Sequence, residues 1–107
     1  MSEEQSQITR DLFAQTQRVG VDFINAELET GLTFAALAQT EESLGSPVDT
    51  RRCAENAVKA HREVTRRLPE LQLTEPERQR LTERCEDLKQ AISGWESISE
   101  APPALRD

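Results

Sequence analysis

The chain has 107 residues, enough for one domain with a single modest core. Its net charge of −7 excludes nucleic acid as a default partner, because phosphate binding draws on an excess of Lys and Arg. Only 4% of residues are aromatic, and no stretch shows the alternating β-branched and aromatic pattern of a sheet, which argues against one and leaves a helix-forming composition.

Residues 1–7 are polar and read as a frayed N-terminus. Met1-Ser2-Glu3-Glu4 lacks the basic start and apolar run of a secretory leader, and no apolar run approaches membrane-spanning length. With two cysteines in no metal-type spacing, the expectation is a cytoplasmic protein with reduced thiols. An apolar pattern then begins at Ile8 and runs through Leu12 and Val19 to Phe23, with Phe13 beside it. It predicts a long helix starting between residues 5 and 10, with a weak point at Gly20 between two β-branched valines. A sharp break there would give two helices in place of one.

Residues 22–43 form the strongest core element. Ile24, Leu28, Leu32, Ala35 and Ala36 make one stripe, which Phe23, Phe34 and Leu37 widen. Gly31, Ala35 and Ala38 add small side chains that let a neighbouring helix come close. Such a face is wide enough for more than one partner helix. Gly45 and Pro47 punctuate its end, and Ser46 reads as the N-cap of a second helix with Pro47 in its first turn. The core face of that helix is Cys53, Ala54, Ala57, Val58, Ala60, His61, Val64 and Leu68, ended by Pro69. Leu71 and Leu73 of the linker are expected to pack on the bundle. Thr74-Glu75-Pro76-Glu77 is a capping box with proline in the first turn, opening a third helix whose stripe is Leu81, Cys85, Leu88, Ile92 and Trp95. Gly94 is its expected stop, and residues 94–107 read as a tail.

Short connections make successive helices antiparallel neighbours, so residues 8–93 are expected to form an all-α, antiparallel three-helix bundle. A break at Gly20 would make it four helices. Leu32, Ala35 and Ala36 mark the first of the three helices, Ala54, Ala57 and Ala60 the second, and Arg84-Cys85-Glu86-Asp87-Leu88-Lys89 the third. In these residues the segment from about Glu27 to Ser93 resembles a helical hairpin of the tetratricopeptide kind followed by a third helix. It is similar in layout to the microtubule-interacting-and-transport domain. The resemblance implies a module that accepts a helix or short peptide between its helices.

Chemistry finds little purchase. There is no nucleophile elbow, no Gly-rich phosphate loop and no metal-binding signature. Glu27 with Glu29, and Glu41 with Glu42, lie at spacings that do not converge on a metal. The expectation is therefore no catalytic residue, no cofactor and no metal. The lone histidine, His61, sits on a helix as in histidine-phosphotransfer domains, whose motif is H-x-x-K-G; here Val64 and Thr65 replace the lysine and glycine. A phosphotransfer role for His61 is the alternative reading.

The leading reading is a non-catalytic protein-interaction or self-association module. Residues 1–50 hold nine acidic and two basic residues, whereas residues 51–89 hold eight acidic and ten basic ones. Arg52, Lys59, Arg62 and Arg66 therefore give the second helix a basic outer side that an acidic partner would meet. Phe23, Phe34 and Leu37 are the candidate apolar contacts on the first helix. A protein or peptide partner, or a homodimer through that helix, is expected, with no membrane and no nucleic acid.

Overall fold

The computed structural model describes residues 2–95. They form three α-helices: α1 (Glu3–Ser43), α2 (Pro47–Arg67) and α3 (Glu75–Ala91), with a 3-10 turn over Leu68–Glu70 between the last two. Among the described residues there is no strand, so the fold they form is all-α.

The long first helix is continuous. It begins at Glu3, inside the stretch read as frayed, because Ser2 caps it by accepting a hydrogen bond from the Gln5 backbone N–H at 3.2 Å. Ser2-x-x-Gln5 is the sequence signal for that start. Gly20 does not break the helix. A Cβ there would lie 2.5 Å from Leu71 Cδ2, so the glycine is a seat for the linker leucine. Helix α1 ends on Gly45, whose φ of 75° is the left-handed value that favours glycine.

Ser46 does not cap α2 through its side chain. Its hydroxyl donates instead to Asp49 Oδ2 at 2.9 Å, and Pro47 supplies the first turn. Helix α3 has the capping box in full. The Thr74 backbone N–H donates to Glu77 Oε1 at 3.0 Å, and the Glu77 N–H donates to Thr74 Oγ1 at 3.3 Å. It ends at Ala91, three residues before Gly94. Ile92 and Trp95 reach the core from a turn closed by the Trp95 N–H on the Ile92 carbonyl at 2.8 Å. The rest of the expected tail, from residue 96 on, lies outside the described residues.

The Glu77 carboxylate is held below the usual carboxylate range, first by the Thr74 backbone N–H and then by the Thr74 hydroxyl. A depressed folded pKa contributes stability above the ordinary carboxylate value, and that stability is lost as pH falls through the folded value. Acidification is thus expected to lower the melting temperature of the parent chain more than that of Glu77→Gln, so the two converge at low pH. Thr74→Ala should cost about 1 kcal/mol in denaturant titration at neutral pH.

Long-range contacts give the helix directions. Gly31 of α1 lies against Ala60 of α2, and Phe23 lies beneath Arg67, so α2 descends alongside α1. Gln17 accepts from the Gln72 N–H at 2.8 Å, Asn25 accepts from Arg84 at 2.8 Å, and Gly31 lies against Leu88, so α3 rises with α1. The core is Ile24, Leu28 and Ala35 of α1, Ala57, Val58 and Val64 of α2, and Leu81, Leu88 and Ile92 of the third segment. Gly31 and Ala38 complete the buried line on α1, whereas Ala36, expected in the core, is exposed. Its place on the wheel falls outside the sector that two neighbours can cover.

Helix lengths then leave a mismatch. At about 1.5 Å per residue, α1 spans about 60 Å, nearly all of the molecule's 63 Å length, whereas α2 spans about 30 Å. The first half of α1 extends past the end of α2. From Ser2 to Thr16 every residue but Ser6 is exposed.

Candidate interaction surface

The projecting part of α1 carries the most exposed apolar side chains of that helix. Ile8 is 54% exposed, Leu12 59%, Phe13 51% and Val19 62%. Ile8, Leu12 and Val19 recur at helical spacing and so lie on one side, and that side continues along α1 to Leu37 and to Leu44 just beyond it. A soluble helix usually covers such a stripe against a neighbour. Here no described element lies over it.

The residues expected to bind a partner are placed unevenly. Leu37 is exposed on this stripe. Phe23 and Phe34 are half-buried and pack against the core, and the Arg67 guanidinium lies 4.5 Å over the Phe23 ring. They are largely spent on the fold, so neither is an open anchor. Arg52, Lys59, Arg62 and Arg66 are all exposed, and their spacings of seven, three and four put them on one outer side of α2. Interleaved acids weaken that side as an anion site. Arg66 donates to both oxygens of Glu63 at 2.7 and 2.8 Å, Arg67 reaches the same carboxylate at 3.1 Å, and Arg51 pairs with Glu55 at 3.1 Å. Arg66 and then Arg67 hold the Glu63 carboxyl below its ordinary value. Such exposed pairs steer partners more than they stabilise the fold. Arg84 is drawn inward to Asn25.

His61 is half-buried on α2, and neighbouring Val64, where a phosphotransfer motif carries lysine, is fully buried. Cys53 and Cys85 are free thiols, and burial pushes the Cys85 thiol up from its ordinary pKa. Such a thiol stays protonated and weakly nucleophilic at neutral pH. Among the described residues, no group of three or more His, Cys, Asp or Glu could hold a metal ion. No described helix is long and apolar enough to cross a membrane. The groove between α1 and the start of α3 is open to solvent and lined by mixed charge, including Arg18, Asp22, Glu77 and Arg80.

Ile8, Leu12, Val19 and Leu44 are not among the contact residues expected from the sequence. The signal is in the spacing: Ile8, Leu12, Val19 and Leu37 fall on one side of α1, and the buried line of Ile24, Leu28, Gly31 and Ala35 falls on another.

Comparison with protein-family models, with curated proteins and with solved structures finds no match.

Proposed function

We propose that the chain is a non-catalytic helical interaction module that docks, and self-associates, through α1. The observation that carries this reading is the apolar stripe of Ile8, Leu12 and Val19, exposed on a helix that outruns its neighbours. Scattered apolar residues on a surface are ordinary, but a line of them at helical spacing on a projecting helix marks an interaction edge. The basic side of α2 adds orientation, not the main affinity. Phosphotransfer draws no support from the surroundings of His61.

The reading is tested with the double variant Leu12→Glu/Val19→Glu. Both side chains are exposed, so each change should move unfolding free energy by no more than about 0.5 kcal/mol. Light scattering should show the parent associating as concentration rises and the variant remaining at monomer mass. Equal association of both chains would remove α1 from the account.

A further inference from the structure

The projecting segment of α1 has a pattern that points to its occupant. Taking Ile8, Leu12, Gln15 and Val19 as the line of contact, one border consists of Glu4, Asp11 and Arg18, each seven residues apart. The other border is Thr9, Thr16 and Phe23, also seven apart. This is the arrangement of a short coiled-coil seam, in which border residues decide partner and orientation.

We propose that the occupant is a second copy of this chain, with the two α1 segments packed antiparallel about a two-fold axis between Phe13 and Ala14. This rests on the self-association reading above and gives it a segment, an orientation and a register. In this register Ile8 of one copy faces Val19 of the other, and Leu12 faces Gln15, each contact occurring twice by symmetry. Asp11 then lies across from Arg18 of the second copy, also twice, and Thr9 across from Thr16.

Charge decides the orientation. A parallel pair sets Asp11 beside the uncharged Thr16 and stacks Gln15 on Gln15, so it gains no ion pair. The antiparallel pair sets acid against base at both Asp11–Arg18 positions. Neither orientation places a charged residue in the contact line, which matters for two chains that each carry −7, so the border pairs make the difference. The folded bodies lie at opposite ends of the pair, since α2 and α3 flank only the later part of α1. Four layers form a small interface, so association is expected to be weak and concentration-dependent.

Cross-linking reads the register directly. In a Cys53→Ser/Cys85→Ala background shown to fold by circular dichroism, chains carrying Ile8→Cys and chains carrying Val19→Cys are oxidised separately and mixed. The mixture should give cross-linked dimer well ahead of either chain alone, because a disulfide needs closely placed Cα atoms. Rapid cross-linking of Ile8→Cys with itself would overturn the antiparallel register while leaving self-association standing. A parent chain that stays monomeric at every concentration would instead end the self-association reading itself. Charge exchange provides a check that needs no cysteine. Asp11→Arg should weaken the dimer about 10-fold, and adding Arg18→Asp should restore it. Failure of the double exchange to restore association would also overturn the register. A dimer that survives Leu12→Glu would place the interface elsewhere.

Discussion

Leu88→Ala is expected to cost about 2–5 kcal/mol and to lower the melting temperature by more than about 10 °C. Leu88 is fully buried, and it packs at the point where all three helices approach one another. The fold has few alternatives to it. Among the described residues, the largest fully buried side chains are Ile24, Leu28, Leu88, Ile92 and Val64, while the buried residues of α2 are Ala54, Ala57 and Ala60 with Val58 and Val64. Alanine brings helices close but removes little apolar surface from water, so each large residue carries a heavy share of the stabilisation. A domain of this size has about 5–15 kcal/mol in reserve, and the upper end of the expected loss would leave part of the population unfolded. Thermal and urea unfolding followed by circular dichroism check this. A loss below about 1 kcal/mol would mean that α3 is not seated as described.

Gly31→Ala is expected to destabilise although it places a better helix former in mid-helix. On propensity alone alanine gains about 1 kcal/mol over glycine. Yet a Cβ at Gly31 would lie 2.7 Å from Leu88 Cδ2 and 3.0 Å from the Ala60 Cβ. Leu88 is enclosed in the core, and the Ala60 Cβ can move only with the backbone of α2, so neither neighbour gives way easily. Overpacking of this kind costs about 1–3 kcal/mol, which outweighs the gain. Gly20→Ala is the control. Its contact is with the end of the half-buried Leu71 side chain, which can rotate aside, so the change should stay within about 1 kcal/mol of neutral. Equal effects at the two glycines, measured by denaturant titration, would contradict the close approach of α1, α2 and α3 at Gly31.

Most of the helical organisation is legible in local chemistry. The capping box at Thr74 and Glu77 and the left-handed Gly45 each act within a few residues, and a sequence displays such signals directly; Pro69, expected as a stop, instead sits in a 3-10 turn behind a still-helical Leu68, and the chain turns extended only at Leu71. The small-residue line through Gly31, Ala35 and Ala38 is legible for the same reason, because helical spacing places it on one side. What the residues display less well is which side is covered. Gly20 reads as a weak point on propensity, and its contact with Leu71, 51 positions away, is a tertiary fact. Phe23 and Phe34 read as docking anchors because they widen an apolar stripe. Arg67 over Phe23 and the core against both rings use them within the fold. Ile8, Leu12 and Val19 read as part of the bundle's pattern, but they share a side with Leu37, which stays exposed even beside α2, so that side faces away from the buried line of Ile24, Leu28, Gly31 and Ala35.

Sedimentation equilibrium of the parent chain, from about 1 μM to about 1 mM at physiological salt, tests the central claim most directly. The account predicts a mass rising from 12.1 kDa towards twice that value as concentration increases. A mass that stays at 12.1 kDa across the whole range would contradict self-association through α1.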